Sequence, residues 1–383
     1  MKYVKIANNI TVYKNSDFYS SFPSIVRMAN GELLIAFRQA GERSVRAAKE
    51  GVVTHHDPDT WISTINSIDN GETWDQQTYK IVYTGKCAVN DPGLTKLTDG
   101  KLLLRFNLLD INKSVNNSDA RKRNIISHRV EHGLICSIKN NLVLFSNNNG
   151  ESWNDKSVQI ITENHSETSS REPIVELDDG TLILSVYGGA PSRTDRVFLL
   201  RSFDGGNTWG NVSTIMQDKE FSYSQHDGIN YNETAVITLD KNHLLAVART
   251  DVVFHIDKEL MRVGGIGELT QVESFDAGFS WTKPKPTGIF GQPPHLLRID
   301  ENRIVLTYGY RKIPYGIRAV VSYDNGINWD IENTIIIRED GLTWDMGYPS
   351  SVKIDKNTVL TVYYFVDNKG TRFIESTKWH LRK

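Results

Sequence analysis

The chain has 383 residues, of which 23% are charged, and its formal net charge at pH 7 is −2. So small a net charge gives no overall field that would attract nucleic acid or an anionic membrane, so neither is expected as a partner. No apolar run is long enough for a signal peptide or a membrane span, which predicts a cytoplasmic protein as written, or a secreted or periplasmic one if a leader was removed. Two cysteines, Cys87 and Cys136, are too few for a disulfide framework.

A hairpin pattern recurs six times along the chain. Each copy begins with an apolar–x–apolar run, passes through a turn pair such as Asn-Gly, Asp-Gly or Lys-Asn, and ends in five to seven mostly apolar residues. The copies superpose without a gap on the last apolar residue before the turn. In chain order they are Phe22–Arg38, Asp91–Asn107, Arg171–Tyr187, Glu233–Arg249, Pro294–Gly309 and Tyr348–Tyr364.

A second motif, close to S-x-D-x-G-x-x-W, follows each of the first five hairpins after one further strand. Its glycine permits positive φ, its Asp or Asn accepts bonds from the turn backbone, and its tryptophan packs on a sheet, so the motif is interpreted as scaffold. The five copies are Ser67–Trp74, Ser146–Trp153, Ser202–Trp209, Ser274–Trp281 and Ser322–Trp329.

Together the two motifs predict a repeat architecture with about four strands in each of six units. Radial closure of such units leaves few exposed sheet edges. We therefore predict an all-β, six-bladed β-propeller of four-stranded antiparallel blades, forming one domain over residues 1–383. The sixth unit lacks the S-x-D-x-G-x-x-W motif, which is called the box turn below. The N-terminal strand is expected to close that last blade.

One end of the ring is expected to hold the functional site. The start of each first strand and the end of each second strand lie there, together with long loops after the first two hairpins. This open end of each hairpin is called its mouth, and the six together form the mouth of the ring. Polar or aromatic residues occupy most of the hairpin mouths and differ from blade to blade. The first-strand positions are Phe22, Asp91, Arg171, Glu233, Pro293 and Tyr348, and the second-strand positions are Arg38, Asn107, Tyr187, Arg249, Gly309 and Tyr364.

The repeated box turn on a six-bladed ring resembles the Asp-box repeat of the sialidase (neuraminidase) superfamily, over nearly the whole chain. The resemblance implies a carbohydrate substrate, no cofactor and no metal, and a site in which arginines bind the substrate carboxylate. It implies Tyr348 as nucleophile, Glu233 as its base partner, Arg249 as a clamp arginine, and either Arg318 or Arg311 as the last clamp arginine. A tyrosine paired with a glutamate suits a substrate whose anomeric carbon bears a carboxylate, because an anionic nucleophile would be repelled.

Two segments depart from the family pattern. Ser21 stands where the first arginine is expected, and Arg38 or Arg43 is the proposed substitute. The acid/base aspartate is expected in the loop "THHDPDTW" as Asp57 or Asp59, where His55 and His56 could alternatively join a metal site. Further candidates for sugar contacts in mouth-facing segments are His56, Arg171, His226 and Asp227.

The leading functional hypothesis is an exo-acting glycoside hydrolase that removes a terminal acidic sugar, sialic acid or a relative. Its alternatives are an enzyme for a different acidic sugar, including a lyase, and a glycan-binding propeller without catalysis. A protein-interaction scaffold is the third class, and it predicts an exposed apolar patch at the mouth, which the twelve mouth positions do not resemble.

Overall fold

A computed structural model describes residues 9–50, 55–113, 129–131, 134–154, 158–160, 168–188, 196–218, 228–256, 259–263 and 267–381. The predicted fold is confirmed: six antiparallel sheets form a six-bladed β-propeller. The first strands of successive blades contact one another around the axis, for example those of blades 1, 2 and 6. Within the described residues, no helix is both long and apolar enough to cross a bilayer.

The first three blades follow the chain from the axis outward. Blade 1 contains β2 (Tyr19–Arg27), β3 (Leu33–Ala40), β4 (Thr60–Ser67) and β5 (Asp75–Tyr83), with helix α1 (Glu42–Lys49) between β3 and β4. Blade 2 contains β6 (Ala88–Lys96), β7 (Leu102–Lys113), β9 (Leu134–Ser146) and β10 (Val158–Ile160), with β8 (Arg129–Glu131) added to β9. Blade 3 contains β11 (Thr168–Ser169) and β12 (Val175–Glu176), both paired with β13 (Leu182–Gly188), then β14 (Arg196–Ser202) and β15 (Gly210–Met216).

The last three blades repeat the order. Blade 4 contains β16 (Gly228–Asp240), β17 (His243–Ile256), β19 (Glu268–Ser274) and β20 (Lys285–Phe290), with β18 (Glu259–Val263) added to β17. Blade 5 contains β21 (Pro294–Arg298), β22 (Ile304–Tyr310), β23 (Tyr315–Ser322) and β24 (Ile335–Gly341), with a short 3₁₀ turn at Ile331–Asn333. Blade 6 contains β25 (Gly347–Lys353), β26 (Thr358–Val366), β27 (Arg372–His380) and, outermost, β1 (Asn9–Tyr13).

The N-terminal strand closes the ring as predicted. Strand β1 pairs antiparallel with β27, so that Ile10 lies opposite Ser376. Val12 is fully buried in the apolar seam between blades 6 and 1. The seam is one of six such clusters, each made from the facing sides of two neighbouring blades. The core is therefore distributed around the axis, and each blade depends on both of its neighbours for burial.

The box turns are scaffold, as the sequence predicts. In the third copy, the buried Ser202 hydroxyl accepts from Gly206 N at 2.9 Å and donates to Asp204 Oδ1 at 2.8 Å, while Asp204 accepts from Thr208 N at 2.8 Å. The same bonds recur in the other boxes, where the serine accepts from the box glycine. Box tryptophans pack into the seams between blades; Trp74 Nε1, for instance, donates across the closing seam to Ser376 Oγ at 3.3 Å.

Candidate active site

Irregular backbone at the start of the first strands turns side chains toward the mouth of the ring. The register shifts there in four blades, between Ser21 and Ser24, Asn90 and Gly93, Asn232 and Thr234, and Gly347 and Ser350. Phe22, Asp91 and Tyr348 adopt positive φ of 54°, 48° and 52° at these bulges. Bulges re-aim a side chain, and bulky residues rarely adopt positive φ without an imposed reason. The bulges therefore gather residues from separate blades into one site.

Tyr348, Glu233 and Arg249 form the centre of this site. The Tyr348 hydroxyl donates to Glu233 Oε1 at 2.5 Å, and Arg249 Nη1 donates to Glu233 Oε2 at 2.5 Å. Arg249 Nη2 also lies 3.4 Å from Oδ1 of Asp251, a buried residue two positions further along β17. Blades 4 and 6 thus supply one linked phenol, carboxylate and guanidinium.

The electrostatics of the site place the proton between Tyr348 and Glu233 on the tyrosine. Burial, followed by the negative charge of Glu233, raises the pKa of Tyr348 well above its ordinary value. Burial alone would raise the pKa of Glu233, but Arg249 and the hydrogen bond from Tyr348 hold that pKa below its ordinary value. At neutral pH the tyrosine is therefore protonated and the glutamate is an anion, which is the arrangement of a nucleophile beside its base.

Two further arginines flank the Tyr348 ring, each with its Cζ 5.5 Å from the ring centroid. Arg171 makes its contacts within the protein: its guanidinium pairs with Glu172 and donates to Pro349 O at 2.7 Å. Arg311 donates from Nη2 to Met346 O at 3.3 Å. The buried Nε groups of Arg311 and Arg249 have no hydrogen-bond partner among the described residues. A buried donor without a partner costs about 1–3 kcal/mol, which an anionic ligand would offset.

Asp91 adds a buried carboxylate to the same mouth. Its Oδ2 accepts from Asn107 Nδ2 at 3.1 Å, whereas Oδ1 is buried with no hydrogen-bond partner in the described structure. Burial and the neighbouring Glu233 anion raise the pKa of Asp91 to about 6, although Arg105 and Arg171 oppose the shift.

An aromatic wall occupies the place where the first clamp arginine is expected. The Phe22 ring lies 4.5 Å from the Tyr348 ring and 5.4 Å from the Tyr364 ring, measured between centroids. Arg38, the proposed substitute, is fully buried, with its Cζ 5.8 Å from both the Tyr19 and the Phe22 ring centroids. Its Nη1 lies 3.4 Å from Ser21 Oγ, at the position of the missing arginine. Arg43 lies on α1, with its Nε 3.7 Å from an Asp57 oxygen. Of the two proposed substitutes, Arg38 is therefore the one that reaches the position of Ser21.

Arg318 does not join the cluster, so its placement corrects the expectation. It lies on β23, the third strand from the axis, with its Cζ 3.3 Å from the Tyr310 ring centroid. There it lines a cavity of about 170 Å³ that Phe290 and Ile331 also line. A side chain on a third strand is too far out along the blade to reach the first-strand residues, and Arg311 occupies the position beside Tyr348 instead.

Asp57 is likewise placed differently from its predicted acid/base role. The residue is fully buried, and Ser44 Oγ and Asp59 N donate to its two carboxylate oxygens at 3.1 and 3.0 Å. These bonds tie the loop to α1, so Asp57 is held by the scaffold and Asp59 is turned outward as an exposed residue. His56 is half-buried in this loop, and no group of three or more metal-ligating side chains occurs among the residues that are described.

Two candidates, His226 and Asp227, lie outside the described residues. The structure instead adds a pair from two loops: His55 Nε2 lies 3.0 Å from Asp345 Oδ1, and the His55 ring packs edge-on against Phe22. Nothing in the sequence indicated that Asp345 belongs to the site, because it precedes a first strand in a loop that does not repeat. Asp251 could have been predicted, since alternate residues of a strand share a face and Arg249 was already assigned to the site.

Fold and site together define an Asp-box propeller with a tyrosine–glutamate pair at its mouth. The chain belongs to the BNR repeat-like domain family, whose model matches residues 136–360. No curated protein sequence matches it.

Three solved structures share the fold. A protein of unknown function from Dyadobacter fermentans is 26% identical with a TM-score of 0.81, over 98% of this chain and 99% of that one. A variant of the NanB sialidase from Streptococcus pneumoniae is 14% identical with a TM-score of 0.65, over 96% of this chain and 70% of that one. An α-L-arabinanase from Penicillium chrysogenum, complexed with arabinobiose, is 14% identical with a TM-score of 0.64, over 98% of each chain.

Proposed function

We propose that the protein is an exo-acting glycoside hydrolase that removes a terminal acidic sugar from a glycan, with Tyr348 as nucleophile and Glu233 as its base. The observation that carries the proposal is the 2.5 Å hydrogen bond from the Tyr348 hydroxyl to a carboxylate that Arg249 holds from the other side. Sialidases and an arabinanase on the same fold support a carbohydrate substrate.

The first displacement uses these groups in one step. The Tyr348 oxygen forms a bond to the anomeric carbon while its proton passes to Glu233 Oε1, and the glycosidic C–O bond breaks as the leaving oxygen takes a proton from an acid. Water then attacks the anomeric carbon from the opposite face and gives a proton to the conjugate base of that acid, while Glu233 returns its proton to the departing phenolate. Two displacements give net retention of configuration.

The charge of the mouth favours an acidic sugar over a neutral one. Arg249 and Arg311 each carry a buried Nε donor without a partner among the described side chains, and guanidinium groups bind carboxylates well. A neutral pentose such as arabinose offers hydroxyl acceptors to these donors but no negative charge to the two guanidinium groups. Phe22 and Tyr364 line this side of the mouth with aromatic rings, so the proposed sugar is sialic acid or a different acidic sugar that makes an apolar contact there.

The test is hydrolysis of a panel of aryl glycosides, containing sialic acid, uronic acids and α-L-arabinofuranose, by wild type and Tyr348→Phe. We expect turnover of an acidic member with retention, and a loss of at least about 10³-fold in kcat for Tyr348→Phe, because removal of a nucleophile abolishes the displacement. The product configuration is read by NMR.

The chain offers a matched control in Tyr363→Phe. Tyr363 is equally buried and donates to Glu375 at 3.0 Å, and Glu375 pairs with Arg338, but this trio lies away from the mouth. Activity should survive this substitution. Equal activity of wild type and Tyr348→Phe would refute the nucleophile; an unsaturated product would indicate a lyase, and tight glycan binding without turnover would indicate a binding protein.

A further inference from the structure

The proposed hydrolysis needs an acid for the leaving oxygen, and the scaffold holds Asp57 away from that role. His55, in the same loop, is the titratable side chain whose ring lies against the aromatic wall of the mouth. Its ring centroid is 5.2 Å from that of Phe22, which in turn packs 4.5 Å from the Tyr348 ring. The His55 side chain is 18% exposed, so it is reachable from the mouth.

A buried carboxylate fixes the His55 ring. Asp345 Oδ1 accepts from His55 Nε2 at 3.0 Å and from the Tyr364 hydroxyl at 2.9 Å, while Oδ2 accepts from the Tyr19 hydroxyl at 2.7 Å and from Arg372 at 2.9 Å. Burial would raise the pKa of Asp345, but His55, Arg372 and Tyr19 hold that pKa well below its ordinary value. Asp345 is therefore an acceptor, and the proton of the neutral imidazole stays on Nε2.

This tautomer leaves His55 Nδ1 as the nitrogen that can gain and lose a proton. Nδ1 has no hydrogen bond to any side chain in the described ranges. A histidine whose second nitrogen is held by a carboxylate is the usual arrangement of an imidazole general base and acid.

An exposed aromatic side chain lies beside His55 on this side of the mouth. The Trp344 ring lies 6.3 Å from the His55 ring and is 45% exposed, so it presents apolar surface at the rim. The charged groups that face His55 are Asp345 with Arg372 behind it, Asp91 across the mouth, and Arg311, whose Cζ is 5.6 Å from the Trp344 ring centroid.

We propose that His55 is the acid/base of the reaction and that Asp345 is the positioning residue that orients its ring. The proposal rests on the proposed hydrolase function. In the first displacement the His55 imidazolium gives its Nδ1 proton to the leaving oxygen as the glycosidic bond breaks. In the second, neutral Nδ1 takes a proton from the water that attacks the anomeric carbon, so the imidazolium is restored with each turnover.

The test compares leaving groups. For His55→Gln we expect kcat/KM to fall about 10²–10⁴-fold on a glycoside with a poor leaving group, such as methyl, and less than about tenfold on the p-nitrophenyl glycoside, which departs without a proton. Added azide should accelerate His55→Gln and form a glycosyl azide, because azide needs no base. The basic limb of the kcat/KM pH profile should disappear.

A matched control is His243→Gln. His243 forms a similar pair with Glu273, 2.8 Å apart, but it lies at a hairpin turn outside the mouth. This variant should keep wild-type rates on both glycosides. Asp345→Asn should lower kcat/KM more on the methyl glycoside than on the p-nitrophenyl glycoside, because His55 loses the acceptor that orients its ring. If that variant does not fold, the result for His55→Gln decides, since it leaves Asp345 with its three other partners.

Each outcome decides between the two proposals. No turnover by wild type on any glycoside overturns both. Turnover that depends on Tyr348, combined with an equal loss for His55→Gln on both leaving groups and no response to azide, overturns the His55 role alone. A ¹⁵N spectrum of the neutral imidazole that shows the proton on Nδ1 overturns it as well.

Discussion

At the scale of single residues, a buried carboxylate in the mouth lowers the stability of the folded protein. Asp91 is nearly buried and keeps one carboxylate oxygen without a partner in the described structure. Because its pKa is raised in the folded state, the folded protein binds the proton more tightly than the unfolded chain does. The ionised carboxylate therefore lowers the free energy of unfolding in full above the folded pKa of about 6. This loss is relieved as the pH falls toward 4.

Asp91→Asn should accordingly stabilise the protein by roughly 1–3 kcal/mol at pH 7.5, and this gain should fade below pH 6, where wild-type Asp91 becomes protonated. Urea denaturation of both proteins at several pH values measures it. Asp110→Asn, at an exposed position of the next strand, serves as the surface control. A gain that is constant with pH, or a loss at pH 7.5, would contradict the assignment.

The sequence predicted the residues that the repeat itself positions. Tyr348, Glu233 and Arg249 stand at equivalent hairpin mouths, so counting from the turns was enough to bring them together. Arg318 was assigned from the likeness of its segment, with no repeat position to place it near the axis. His55 and Asp345 meet only because two non-repeating loops converge, a contact that no period along the chain encodes.

At the scale of single elements, the box turn depends on its serine. In each of the five boxes a buried hydroxyl satisfies the N–H of the box glycine, as Ser202 does for Gly206. The second box shows that the acidic residue is replaceable: Asn148 Oδ1 still accepts from Ser152 N at 3.1 Å, while its Nδ2 donates to Ser152 Oγ at 2.9 Å. Hydrogen bonding to the turn backbone, and not negative charge, is the common requirement.

Ser202→Ala should destabilise the protein by about 1–3 kcal/mol, because it leaves a buried N–H without an acceptor. The proposed glycosidase activity should be unchanged at 25 °C, since the box lies at the opposite end of the blade from the mouth. Chemical denaturation and a rate assay measure the two effects, with Ser16→Ala at an exposed turn as the control. Loss of activity without loss of stability would show that the box has a role beyond folding.

At the scale of the whole molecule, the two chain ends hold the ring together. The closing seam joins β1 to β27, and the Gln76 side chain of blade 1 reaches across it to Val12 O at 2.9 Å. The sequence indicated this closure from one missing box turn, which is a whole-chain inference that single-strand propensity would not have given.

Val12→Asp should lower the free energy of unfolding by about 3–5 kcal/mol, because it places an unpaired carboxylate in the closing seam. Thr11→Asp, on the exposed side of the same strand, should cost less than about 1 kcal/mol. Thermal and urea unfolding compare them. Similar losses for both variants would mean that β1 contributes little to closure.

The bulged first strands have a consequence for how such molecules diversify. The kink that presents Phe22, Asp91, Glu233 and Tyr348 belongs to the main chain and recurs whatever residue it carries, an aromatic in one blade and an acid in another. A substitution at one of these positions therefore changes a side chain that lines the mouth, while the bulged main chain that presents it stays the same. The residues that line the mouth can therefore differ one blade at a time on an unchanged scaffold.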